Sequence, residues 1–231
     1  MRFLLPGLGF TLALSGSLAS NLAAIALPLP PASSHHPIVS QRSSQTTTIE
    51  GNGVKFTLPN GFQGGSPSNR DTQAIVQATQ RMFPSMASFV QIFDRDPTLF
   101  RAIAIETVKS KENPSLILVT RLPLSVGISL KDLQVAMSKS LPTILPPEFK
   151  LVDSRVVNVG SRQIVRLTLN VNIQGFNFKE SIGLLKEGNE VFQVTYVFDN
   201  NDTATASTIF EGMIRTFKTT PLIPGKMTPI L

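Results

Sequence analysis

Apolar and polar side chains alternate most regularly in the last third of the chain. Between positions 162 and 173, Val165, Leu167, Leu169, Val171 and Ile173 fall on one side, and Arg166, Thr168, Asn170 and Asn172 on the other, the period of a half-buried strand. Gln174-Gly175 supplies a tight turn. Phe176, Phe178, Ile182 and Leu184 carry the alternation onward to Glu187-Gly188-Asn189, after which Phe192, Val194, Tyr196 and Phe198 form a third strand. Beyond Asp199-Asn200-Asn201-Asp202, a cluster suited to capping, Ala206, Ile209, Phe210, Met213, Ile214 and Phe217 recur at three and four residues. The pattern predicts an antiparallel meander covered by one amphipathic helix, with Phe178, Tyr196, Phe210 and Phe217 in a shared core. The opposite face is expected to be contiguous, polar and mildly basic, running from Arg166, Thr168, Asn170 and Asn172 through Asn177, Lys179 and Ser181 to Gln193 and Thr195.

Upstream, Val54-Lys55-Phe56-Thr57-Leu58 alternates and stops at Pro59-Asn60-Gly61, a short strand ended by a turn. Residues 63–69, with two glycines and a proline, read as a mobile loop. From Asp71, the residues Ile75, Thr79, Met82, Met86, Phe89, Val90 and Phe93 keep a helical period, with Pro84 placed to kink that helix or to start another. Residues 99–108 and 116–122 are apolar on both faces, as in central strands covered above and below, and residues 109–114 form the polar turn between them. Ser129 and Asp132 make a capping box for a helix whose face is Leu130, Leu133, Met137, Leu141 and Ile144, ending at Pro146-Pro147. Residues 151–159 form a further strand. The fold class that follows is α+β, an antiparallel sheet sandwiched between helices.

The N-terminus has the order of an export signal: Arg2, an apolar segment over residues 3–14, then small residues with a cleavage site at Ala24-Ile25-Ala26 or at Ser17-Leu18-Ala19. An uncleaved membrane anchor is the alternative, because no charge occurs between Arg2 and Arg42; prolines and glycines within the run weigh against a spanning helix. Residues 27–50 combine prolines with serines and a Thr46-Thr47-Thr48 run and read as a tether. The division expected is an export signal over 1–26, the tether over 27–50, a single domain over 51–218 and a flexible tail over 219–231. A domain of that length buries roughly 70% of the surface its unfolded chain exposes, enough to stand without cross-links.

Composition narrows the chemistry. No cysteine is present, which removes disulfides, thiolate metal sites and a cysteine nucleophile together. The only histidines, His35 and His36, lie in the tether, so a general acid or base in the domain must be a carboxylate, lysine or tyrosine, and a metal site must be all oxygen. Asp199 to Asp202, and Asp94 with Asp96, are oxygen clusters without the ligand spacing of a calcium loop, and they read as turns and caps. Glu180 falls in register with Phe178 and Ile182 on the apolar side of its strand; it is either a functional carboxyl with a raised pKa or a residue at a bulge or sheet edge. The domain has no glycine-flanked nucleophilic serine, phosphate-binding glycine loop or dinucleotide fingerprint. The net charge of +6 is spread singly along the chain with no tryptophan and one tyrosine, which is no nucleic-acid footprint. The reading is no enzyme, no catalytic or metal residues and no cofactor.

The short strand Val54-Lys55-Phe56-Thr57-Leu58-Pro59, the meander from Val165 to Phe198 and the closing helix Ile209-Phe210-Glu211-Gly212-Met213-Ile214-Arg215-Thr216-Phe217-Lys218 together resemble the PsbP-like superfamily. This group holds the extrinsic photosystem II subunit PsbP, related lumenal and periplasmic proteins, and a nuclear-import factor that binds Ran. The resemblance covers the whole domain as a pattern of elements; the stretch from Gln63 to Asp96 is longer than in the shorter members. The resemblance implies a protein that acts by binding: a non-catalytic accessory protein on a membrane-protein complex, photosystem II among the candidates, in the thylakoid lumen or periplasm. A periplasmic or cell-envelope solute-binding protein with a pocket between sheet and helices is the alternative. The metal-binding histidines of some photosynthetic members have no counterpart in the domain. On the polar face of the meander, Arg166, Asn170, Asn172 and Lys179 are the expected partner-binding residues.

Overall fold

The structure, a computed structural model, describes residues 45–83, 100–107, 114–124, 127–173 and 176–221. The expected export signal and most of the expected tether, both histidines, Asp94 and Asp96, the expected Gln174-Gly175 turn, most of the expected 109–114 turn and the end of the expected tail lie outside the described residues.

Among the described residues, ten strands and three helices follow one another. They are β1 (Thr46–Glu50), β2 (Val54–Pro59), β3 (Phe62–Gly65), α1 (Arg70–Met82), β4 (Phe100–Glu106), β5 (Leu116–Leu122), α2 (Leu130–Ile144), β6 (Phe149–Val159), β7 (Arg162–Ile173), β8 (Phe176–Glu187), β9 (Glu190–Asp199), α3 (Thr203–Thr216) and β10 (Lys218–Thr219). A 3-10 turn over Asn200–Asp202 leads into α3, with Asp199 Oδ1 accepting from the Asn201 N–H at its start. Seven strands form one antiparallel sheet in the order β3-β4-β5-β9-β8-β7-β6, and β1-β2-β10 form a small second sheet. The expected α+β class, an antiparallel sheet between helices, is the observed one. Among the described residues no helix is long and apolar enough to cross a membrane.

The large sheet separates two cores. On one face, Leu133, Met137 and Leu141 of α2 and Val76 of α1 meet Ile103, Leu116, Leu167, Leu169, Ile182 and Leu184. Ser129 Oγ caps α2 by accepting from the Asp132 N–H at 3.0 Å and donating to its carboxylate at 2.6 Å, the capping box read from the sequence. Ile144, at the end of the predicted apolar face, is exposed instead, at the last residue of the helix, and Leu145 after it packs against the core. On the other face, α3 and the small sheet bring Phe56, Phe62, Phe210, Met213 and Phe217 against Ala102, Ile117, Val194 and Tyr196.

Two expectations fail on register. Glu187 pairs with Glu190 across a two-residue turn, so even positions of β8 share a face with odd positions of β9. Phe178 therefore belongs to the α2 core, while Tyr196, Phe210 and Phe217 belong to the α3 core; the four do not share one cluster. For the same reason Gln193 and Thr195 leave the polar face and are buried under the α2 side, which makes β9 buried on both faces from Val191 to Phe198.

The domain also begins and ends outside its expected limits. Thr46–Glu50, read as tether, is a strand paired with β2 that buries only Ile49; the β-branched run suits an edge strand with one wet face. Residues 62–65, mostly read as loop, are β3, paired with β4. Gly64 permits this close approach: its φ is 153°, and a Cβ there would sit 2.0 Å from the Ile103 carbonyl oxygen. At the other end Lys218–Thr219 pairs with Lys55 and Val54, so the first residue of the predicted tail is part of a sheet.

Candidate interaction surface

The expected partner-binding residues occupy two different environments. Arg166 lies on β7 opposite Gly183 of β8, and the missing side chain there lets the Phe210 ring rest on the sheet; a Cβ on Gly183 would stand 2.9 Å from Phe210 Cζ. The Arg166 guanidinium sits 5.3 Å from the centre of that ring. Its Nη2 donates to Ser207 Oγ at 3.3 Å, and its Nη1 lies 3.7 Å from Glu211 Oε1, while Glu211 also holds Arg215 at 3.1 Å. Arg166 thus fastens α3 to the sheet and is not part of an open face.

Asn170, Asn172 and Lys179 lie beyond the N-terminal end of α3, where the strands are uncovered. Register places Lys150 of β6, Asn170 of β7 and Lys179 of β8 in one row across three strands. Lys150 and Asn170 are exposed, and Lys179 Nζ donates to Thr203 Oγ1 at 3.2 Å at the start of α3. The next row pairs Asn172 with Asn177, joined by an amide hydrogen bond of 2.8 Å. Asp153, the acid on this face of β6, is bound to Arg155 at 3.0 Å. The result is a firm, basic, hydrogen-bonding surface. Lys150 was not legible as a member, because Val152 is an extra residue in β6, and this bulge breaks the alternation from which its face would be read.

Glu180 lies on the opposite side of the same strand. It sits in the interior of β8, paired with Leu169 and Val197, so it is at neither a bulge nor an edge. Burial pushes its carboxyl from the ordinary 4.5 up to about 7. The same face carries buried Thr195, Gln193 and Thr120 on β9 and β5, a polar diagonal within an apolar layer. Gln193 Nε2 donates to Thr195 Oγ1 at 3.0 Å, whereas Thr120 Oγ1 and Gln193 Oε1 have no partner among the described residues. A single carboxyl with hydroxyl and amide neighbours holds a proton but presents no nucleophile and base pair. Replacing Thr120 with valine keeps the shape and removes an unmet hydroxyl, and should raise stability by about 1 kcal/mol, read as a shift in urea midpoint with unchanged slope.

No family model matches the sequence, and no curated protein matches it. Several solved structures are similar in fold. LpqN, a Mycobacterium tuberculosis protein involved in cell envelope biogenesis, is 14% identical, with 77% of this chain and 91% of that one aligned at a TM-score of 0.46. Cyanobacterial PsbP from Synechocystis is 9% identical over 81% and 98%, at 0.45. The Saccharomyces cerevisiae Ran-binding protein Mog1p is 9% identical over 77% and 96%, also at 0.45. The group that the sequence pattern resembles is represented among them.

Proposed function

We propose that this chain is a non-catalytic, exported accessory protein that docks on a membrane-protein complex at the lumenal or periplasmic side, with an acidic partner surface meeting the Lys150, Asn170 and Lys179 row. The observation that carries the reading is that row. Two cations and a ladder of amides stand on the uncovered end of a rigid sheet, where docking requires little reordering of the backbone. Photosystem II is the complex that the PsbP resemblance suggests. The absence of histidine and cysteine from the described domain, together with a buried carboxyl that has no nucleophile beside it, fits binding better than catalysis.

The test is co-purification from native membranes of the source organism. Reversing Lys150 and Lys179 to glutamate should weaken recovery of the complex at least tenfold at low salt, with the gap to the unmodified protein narrowing as salt screens the charges. Arg166 is unsuited to this test, since a carboxylate there would face Glu211 under α3 and unsettle the fold. Unchanged recovery with an unchanged thermal midpoint would reject this face as the docking surface.

A further inference from the structure

On the α2 side of the sheet, α1 packs on β3 and β4 and α2 on β6 and β7, so the two helices stand over opposite ends of the strand order. The central strands β5, β9 and β8 lie between them. Register puts Ile103, Leu118, Thr195 and Ile182 in one row across the middle of this face. Leu118 is only partly buried, although it sits on a central strand and the other three members of its row are buried. Its exposure marks an opening onto the sheet between the helices.

Polar groups bracket that opening. Gln193 lies one row to one side of Thr195 and Glu180 one row to the other, since Gln193 pairs with Leu184 and Glu180 with Val197. The Gln193 amide leans toward the middle row, where its Nε2 donates to Thr195 Oγ1, and the Oε1 of the same amide stands beside it without a partner among the described residues. The Glu180 carboxyl has neither a hydrogen bond nor an ion pair among the described residues, and burial alone moves its pKa. The side chains around them on this face, Leu167, Leu169, Phe178, Leu184 and Val197, are apolar and supply no cation. Buried acceptors are normally met by a donor. The unmet demand is for donors and for positive charge. An anionic ligand would set its charge against Glu180 and the Gln193 oxygen, a polyol would press hydroxyls on Leu118 and Ile182, and an alcohol offers a single donor. A primary ammonium offers three donors and the charge that a buried carboxylate lacks, and a hydrocarbon body on it covers Leu118 and Ile182.

We propose that the opening between α1 and α2 binds a small hydrophobic primary amine, its ammonium between Glu180 and Gln193 Oε1 and its hydrocarbon on Leu118 and Ile182. The site is on the sheet face opposite the Lys150 row, so it stands or falls separately from the docking reading.

The probe is n-hexylamine, titrated at pH 8 and constant ionic strength into the 15N-labelled full chain, with 1-hexanol and hexanoate in parallel. At that pH the amine is protonated, and the Glu180 carboxyl, which titrates at about 7, is largely ionised. Hexylamine should give saturable shifts at the amides of Leu118, Glu180, Gln193 and Thr195 and bind at least tenfold tighter than hexanol, while hexanoate should give no shift there. Glu180→Gln keeps the shape and removes a buried charge, so the variant stays folded at pH 8; it should weaken hexylamine binding tenfold or more and leave hexanol binding as it is. The Lys150 and Lys179 double reversal should leave hexylamine binding unchanged. No saturable shift, shifts centred elsewhere, equal affinity for hexanol, or unchanged hexylamine affinity in Glu180→Gln would overturn the site.

Discussion

Phe210→Ala should lower the unfolding free energy by about 3 to 5 kcal/mol, the range for emptying a fully buried aromatic position. The ring is completely enclosed, lies on Gly183 and has the Arg166 guanidinium 5.3 Å from its centre. Truncation leaves a void over the glycine that no neighbouring side chain fills from β8, and it also strips Arg166 of the surface that compensates its burial. Urea denaturation measures the effect as a lower midpoint with an unchanged slope, with Thr208→Ala on the exposed side of α3 as the reference. A loss no larger than that of the reference would mean that α3 does not rest on β8.

Glu180→Gln should change how stability depends on pH. In the unfolded chain this carboxyl titrates near 4.5, and in the folded protein near 7, because burial disfavours the charged form. Between those values the folded state keeps a proton that the unfolded state has released. The contribution of Glu180 to stability is therefore fully present below 4.5, is lost as pH rises through about 7, and is flat above that. At 1.36 kcal/mol per unit the loss is on the order of 3 kcal/mol. Glutamine keeps the shape without the charge, so the variant should match the unmodified protein near pH 4.5 and exceed it progressively up to pH 8. Comparing the two proteins at each pH cancels every other carboxylate. A difference that stays constant between pH 5 and 8 would show that Glu180 is hydrated in the folded state.

What the sequence made legible follows from how local each signal is. The alternation of β7, the capping box of α2 and the apolar stripe of α3 are all specified within a dozen residues, and each forms where its pattern lies. Faces are another matter. Whether Phe192 lies over Phe178 or behind it depends on the number of residues in one turn, and the Gly188-Asn189 pair reverses the parity. Counting that turn as a two-residue hairpin would have moved Gln193 and Thr195 into the core and joined them to Glu180 in advance. Strands β1 and β3 were hidden by composition, since threonines and glycines signal loops unless a partner strand is known. Arg166 was readable as polar and on the correct face, but its role depends on where α3 comes to lie, which no local pattern records.

The pairing of β10 with β2 has a consequence for the order of assembly. Lys218 and Thr219 close on Lys55 and Val54, Phe217 stacks on Phe56 with ring centres 6.3 Å apart, and the Thr57 N–H donates to Thr216 Oγ1 at 3.0 Å. Strand β2, near the start of the described residues, is thus completed by nearly the last of them. Contacts spanning so much of the chain form late, after the long intervening loop has been closed, and they slow the final step of folding. A polypeptide still being synthesised or threaded through a pore lacks the piece that seals Phe56 from water. Its domain remains open until the C-terminal residues arrive.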